Sequence, residues 1–354
     1  MINAQVKNIS DAGATYIAIG TPYDIEFIPF LERWVAAARL YHLKVWFRGN
    51  FSGWEGWFEY PKISREEHIQ KTKDFIINNK DLFQDSDIFT PCPECENGGP
   101  GDPRLTGDVE GFRGFLIAEY SLTSGLFKQI NKKVISNLSS MNGDVAKLVM
   151  DKGTTKALGG VVTIDHYVST PEELANDVID TAFKSGGKVV LGEFGVPIID
   201  VNGNLTEDQQ ADWIDRAMEK LSKIQALIGL NYWTSYGGST ELFNSNDSPR
   251  KAVTVVKSYY TPKTAAGVVL NEINQPIKDA SIVIGDRTFK SDLFGRYKFI
   301  YLAKDNVFTV KANGYKEAKF IVDENVSQTI VLEKINKDTI FRIIIFIRNL
   351  LILS

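Results

Sequence analysis

Short β-branched and aromatic runs alternate with longer amphipathic runs from residue 15 to about residue 260, and few folds accommodate that order. The strand-like runs are Thr15–Gly20, Leu43–Phe47, Asp87–Pro91, Lys133–Leu138, Val161–Tyr167, Lys188–Glu193 and Leu227–Trp233. Helical patterns lie between them, at Phe27–Tyr41, Arg65–Asn79, Ala118–Asn131, Pro171–Ser185 and Glu207–Ile224. Strand–helix alternation of this length predicts a parallel sheet covered by helices. A doubly wound open sheet meets the same description, but no glycine-rich nucleotide loop opens any of these helices.

Carboxylates stand where such a sheet concentrates its chemistry. The run Lys188-Val-Val-Leu-Gly-Glu193-Phe-Gly195 finishes on an acid between glycines. A second acidic strand end lies upstream, in Asp87-Ile-Phe-Thr-Pro-Cys-Pro-Glu94-Cys-Glu96-Asn-Gly-Gly-Pro100. In a (β/α)8 barrel the carboxyl ends of the strands form the active-site face. Two carboxylates on separate strand ends are what cleavage of a glycosidic bond requires. Seven strands are legible, and a helical pattern, Asn3–Ala12, precedes the first. The expected fold for residues 1–260 is therefore α/β, a (β/α)8 TIM-type barrel lacking its first strand, which would lie upstream of Met1.

Composition narrows the partners. The 354 residues are 44% hydrophobic and 24% charged, which leaves room for a large core and a second domain. Net charge is −4 with no basic cluster, which argues against nucleic acid. The 6 Trp and 13 Tyr suit stacking on sugar faces and filling a large core equally well. The 2 Cys form the motif Cys92-Pro-Glu-Cys95. A metal site there would need partners from His42, His68 and His166, and a redox site would need a helix N-terminus where Pro and Gly follow instead. The favoured reading is two small residues flanking a site acid, with no metal and no cofactor.

After Tyr260-Thr-Pro262 the pattern changes to period-two alternation with turn signals, as in Ala280-Ser-Ile-Val-Ile-Gly285 and Phe308-Thr-Val-Lys-Ala312. Residues 264–334 are expected to form a small all-β sandwich. With Pro276-Ile-Lys-Asp-Ala280, Phe294-Gly-Arg-Tyr297 and Ala312-Asn-Gly-Tyr315, this stretch resembles the carboxypeptidase regulatory-like domain, which implies a prealbumin-like accessory module. Residues 338–354 form a hydrophobic C-terminal segment, expected to be helical, that carries Arg342 and Arg348. It is short for a spanning helix, so membrane contact through a marginal anchor or an interfacial helix is the expectation. The first residues carry no apolar leader pattern.

Residues 14–240 resemble the retaining glycoside hydrolases of clan A. In that clan the acid/base glutamate ends the fourth strand and the nucleophile ends the seventh. Carried onto this chain, the resemblance makes Glu193 the nucleophile and Glu94 the acid/base, with Glu96 as fallback acid. Pro93 and Cys95 stand where the clan has Asn and Pro around that acid. The resemblance further places substrate contacts at His166 and Tyr167 after the sixth strand and at Asn231 and Trp233 on the eighth. At the third strand end, Arg48 and Asn50 are candidates to hold the nucleophile or sugar hydroxyls, and Trp54 and Trp57 are candidate sugar platforms. The expected function is a retaining glycoside hydrolase acting on a β-linked oligo- or polysaccharide, extracellular or at the cell surface. Two other readings stay open: a non-catalytic carbohydrate-binding barrel, and an envelope scaffold or adhesion protein.

Overall fold

The computed structural model describes residues 1–285, 287–302, 305–322 and 327–335. The hydrophobic segment 338–354 lies outside the described residues. Among the described residues no helix is long and apolar enough to cross a membrane. The chain divides into two compact units, Met1–Tyr260 and a second beginning at Thr261.

The first unit is a parallel sheet with helices. Its strands are β1 (Tyr16–Ile19), β2 (Lys44–Phe47), β3 (Ile88–Phe89), β4 (Ser140–Asn142), β5 (Val161–Asp165), β6 (Lys188–Phe194) and β7 (Leu227–Tyr232). β1, β2 and β3 pair in parallel in that order, as do β4 to β7. A parallel bridge pairs Ile88 of β3 with Ile135, five residues before β4 begins. The strand expected at Lys133–Leu138 is thus reduced to a bridge, and the regular strand comes later, at Ser140–Asn142. Asn137 and Leu138 carry the chain from one to the other, which a short run of alternating residues does not reveal.

Alternation along the strands sorts the side chains between two faces. Ile17, Ile19, Val45, Phe47 and Phe89 pack outward on Leu31, Val35, Phe75 and Phe127 of the helices. Val162, Ile164, Val189 and Leu191 do the same against Phe115, Leu174, Val178 and Ile214. Tyr16, Ala18, Trp46, Ile88, Leu138, Val161 and Val190 point the other way and form a small inner cluster. Among the described residues β1 and β7 have a paired neighbour on one side only. A largely apolar cavity of about 870 Å³ lies between them, walled by Tyr16, Ala18, Trp46, Val190, Ile228 and Leu230 among others.

The helices start and stop where short-range chemistry dictates. Pro171–Ser185 opens on Thr170, whose hydroxyl accepts from the Glu173 amide, with Pro171 in the first turn, and ends on Gly186 in a left-handed conformation. Glu207–Leu221 opens on a reciprocal Thr206–Gln209 capping box and buries Trp213, Ile214, Ala217 and Leu221. Among its described residues the second unit is all-β. One sheet runs β10-β9-β12-β13, formed by Arg287–Lys290, Ser281–Ile284, Val307–Lys311 and Ala318–Ile321. The other runs β11-β8-β14, formed by Arg296–Tyr301, Lys263–Asn271 and Gln328–Leu332. Val269, Ile282, Phe299, Phe308 and Ile330 of the two sheets share one core.

Candidate active site

The inward faces of the strand ends converge on Arg48. This residue follows Trp46 and Phe47 on β2, so alternation turns it into the sheet's inner face. Its guanidinium lies 5.3 Å from the Trp46 ring centre. It donates to Glu193 Oε1 at 2.7 Å, to Asp165 Oδ2 at 2.9 Å and to the Gly192 carbonyl at 3.2 Å. Arg48 and Asp165 are both buried, at 6% and 1% exposure, so this is an interior charge cluster rather than a surface ion pair.

Glu193 owes its direction to a break in β6. Val189 and Leu191 face the helices, so strict alternation would send Glu193 outward as well. The pairing with β5 instead skips Gly192: Ile164 aligns with Leu191 and Asp165 with Glu193. One extra residue flips the faces that follow, so Glu193 points inward and Phe194 outward into the helix-facing core. Gly192 is required at this place. A Cβ there would overlap Asp165 Oδ1 and come 2.8 Å from Arg48 Nη1. The second oxygen of Glu193 accepts from the Tyr167 hydroxyl at 2.7 Å.

Glu94 faces the same centre. One carboxylate oxygen each of Glu94, Asp165 and Glu193 lies within 4.8 Å of the others. Burial first, then the charges of Asp165 and Glu193, push the Glu94 carboxyl up to about 8. Arg48 opposes this weakly, and Asn97 Nδ2 donates to Glu94 Oε2 at 3.1 Å. Glu193 is also raised by burial and by Asp165, but Arg48 and the Tyr167 hydroxyl both favour its charged form. Among the described residues this trio is the group with spacing suited to a metal. Arg48 already bonds two of its three members, so a cation entering there would meet a buried positive charge.

Glu96 lies outside this trio, though near enough for its charge to help raise Glu94. Its Oε1 accepts from the Asn142 amide at 2.5 Å and its Oε2 is buried without a partner. Burial holds it up at about 7.

The remaining expected residues divide. Tyr167 reaches the nucleophile candidate, whereas the His166 ring pairs with Asp177 at 2.7 Å, and only the His166 backbone amide meets the Glu193 carbonyl. The ring of His166, expected as a substrate contact, is thus turned to Asp177, and Tyr167 is the residue that bonds Glu193. Asn231 donates to the Gly192 carbonyl at 2.9 Å, bracing the bulge. Trp233 follows β7 and is 44% exposed.

Asn50 is corrected from a sugar contact to a buried strut. It is 1% exposed, and its Oδ1 accepts from the Phe51 amide and lies 2.8 Å from His68 Nε2. Its Nδ2 donates to Glu55 and lies 3.6 Å from Cys92 Sγ. Trp54 is no platform: it is 2% exposed and stacks on Phe115 at 5.1 Å. The loop folds onto its own aromatics because Gly98 and Gly99 let the chain press against Trp54. Trp57 remains 39% exposed.

Asp165 was not anticipated. The signal was available, since Thr163 and Asp165 share the inward parity of β5, opposite to Val162 and Ile164. Cys92 and Cys95 form a disulfide, with Cα atoms 5.3 Å apart, on either side of Glu94.

No known protein family matches this sequence, and no curated protein matches it. Solved structures do resemble it in fold. A β-glucuronidase from Dictyoglomus thermophilum covers 73% of this chain and 46% of its own at a TM-score of 0.52 and 16% identity. An FMN-binding β-glucuronidase from Facaelibacterium prausnitzii L2-6 covers 92% of this chain and 53% of its own at a TM-score of 0.51 and 12% identity. A β-glucuronidase from Ruminococcus gnavus covers 73% and 46% at a TM-score of 0.51 and 12% identity. The chain spans about half the length of these proteins. At such identities the likeness is one of fold alone: a parallel sheet with helices like that in these solved structures.

Proposed function

We propose that this protein is a retaining glycoside hydrolase that cleaves a β-linked glycan by double displacement, with Glu193 as nucleophile and Glu94 as acid/base. The observation that carries the reading is the convergence of Glu94 on Glu193, with Arg48 and Tyr167 holding the latter. Retention needs carboxyls about 5–5.5 Å apart, and inversion needs more room for a water. Oxygens within 4.8 Å favour retention.

The roles follow from charge. A guanidinium and a phenol aim Glu193 and favour its charged form against the burial and the Asp165 charge that raise it, and attack on an anomeric carbon uses that charged form. Glu94 has no cation bonded to it and faces two other carboxylates, so it holds the proton. It donates that proton to the departing glycosidic oxygen as Glu193 bonds to the anomeric carbon. In the second step Glu94 takes a proton from water, whose oxygen displaces Glu193. Trp233, half-exposed at the end of β7, is the proposed floor for the cleaved sugar. The disulfide suits an oxidising compartment, in keeping with an extracellular or cell-surface setting.

The test is turnover of a panel of aryl β-glycosides, glucuronides included, followed by the stereochemistry of the first-formed sugar by NMR. A β-anomer released first supports the mechanism. Binding of glycans without turnover of any member would favour the non-catalytic carbohydrate-binding reading. An initially inverted product would move the acid or the nucleophile elsewhere.

A further inference from the structure

The Cys92-Pro-Glu-Cys95 motif has no part in the chemistry above, yet it encloses the acid. Glu94 adopts a left-handed backbone, φ 44° and ψ 48°. For a residue with a Cβ this conformation is strained and needs outside support. Three supports surround it. The disulfide closes a ring of four residues with Glu94 inside it. The Glu94 amide donates to the Ser140 carbonyl at 3.0 Å, tying the ring to β4. The Cys95 carbonyl accepts from Trp54 Nε1 at 3.2 Å.

The disulfide is itself seated. Both cysteines are 1% exposed. Cys92 Sγ lies 3.6 Å from Asn50 Nδ2, and Asn50 is held by His68, which in turn pairs with Glu119 at 2.6 Å. The ring is thus fixed at both ends, and the one side chain it presents to the Arg48 centre is Glu94. Asn97, just beyond the ring, braces that carboxyl.

We propose that the Cys92–Cys95 disulfide is a positioning element for Glu94, so that proton donation at this site depends on the disulfide being closed. The inference rests on Glu94 being the acid/base. Opening the ring by a dithiol transfers two electrons: the protein S–S bond breaks to two thiols, and the dithiol closes to its own cyclic disulfide. Glu94 then loses the closure that holds its left-handed backbone, and its carboxyl leaves the register that faces Glu193. Nothing in the nucleophile's own contacts changes, because Arg48 and Tyr167 belong to other elements.

The experiment compares the full chain oxidised, reduced by dithiothreitol with the two thiols verified by alkylation and mass, reoxidised, and as Cys92→Ser/Cys95→Ser. Each is assayed on aryl β-glycosides with good and poor leaving groups and across pH. Expected is a loss of about ten- to hundredfold in kcat on poor leaving groups, small against the full worth of a general acid. The loss should be under about threefold on activated ones, with the alkaline limb of the pH profile altered and recovery on reoxidation. Equal losses on both substrate classes with an unchanged pH profile, or no loss, overturn the proposal. So does a disulfide that resists reduction in the folded chain together with a double variant that cannot fold, which would make it a folding element only. Glu94→Gln run in parallel separates the two readings. If it shows the leaving-group dependence and the cysteine forms do not, only the positioning role fails. If it shows none, the acid assignment fails first.

Discussion

At Glu94 burial and like charge favour the protonated form, and this makes its titration readable. Its carboxyl is raised to about 8 by burial, Asp165 and Glu193. A general acid works only while protonated, so activity should persist through neutrality and fall as pH rises through about 8. Glu94→Gln should remove that limb, measured as kcat/KM against pH. Asp165→Asn deletes one of the charges that raises Glu94, so the Glu94 value drops and the limb should move to lower pH. A limb that stays put would exclude Glu94 as its source. Glu94→Ala should slow poor leaving groups by about 10²–10⁴, with added azide restoring part of the rate on good ones. Glu193→Gln keeps shape and should abolish turnover while leaving the thermal transition nearly unchanged.

Among the elements, β6 and the helix Glu207–Leu221 do most to place the site. The bulge at Gly192 turns Glu193 inward, and its glycine leaves the space that the Arg48–Asp165 pair occupies. Gly192→Ala should therefore cost activity far beyond its effect on folding, checked by kinetics beside circular dichroism melting. From the helix, buried Gln210 donates to the carbonyls of Val196, Thr240 and Glu241. It thereby ties the turns after β6 and β7 together. Gln210→Ala removes this donor from the Glu241 carbonyl and leaves the Val196 and Thr240 carbonyls to share the Tyr232 hydroxyl, and it should destabilise the protein by about 1–3 kcal/mol, read from denaturant unfolding. The helix starts at Pro171 and Glu207 were legible in the sequence, because the structure's caps there, Thr170-Pro-Glu-Glu and Thr206-Glu-Asp-Gln, act within four residues. The expected strand at Lys133–Leu138 was not, because strand pairing is decided by the partner: around β3 it finds one bridge at Ile88 and a single further backbone bond, from the Ser86 amide to the Lys133 carbonyl.

At the scale of the molecule, each unit has its own apolar core, so a chain ending at Tyr260 should retain turnover of small aryl glycosides, tested against the full chain at equal concentration. The cavity between β1 and β7 is largely apolar and should bind an environment-sensitive dye such as ANS to the native state, with saturable fluorescence. The sequence alone determined the strand–helix alternation, the limits of the helix Pro171–Ser185 and the start of Glu207–Leu221, and that Glu193 and the Glu94 region lie at strand ends. These follow from periodicity, capping and turn chemistry, all short-range. It also singled out Arg48 and Tyr167. Only the tertiary structure decided which acid meets Glu193, that Asp165 joins them, that Asn50 and Trp54 are buried, and that His166 turns to Asp177. Those outcomes depend on one skipped residue at Gly192, a closed ring at Cys92–Cys95 and glycines packed on Trp54, contacts between residues up to a hundred and more positions apart.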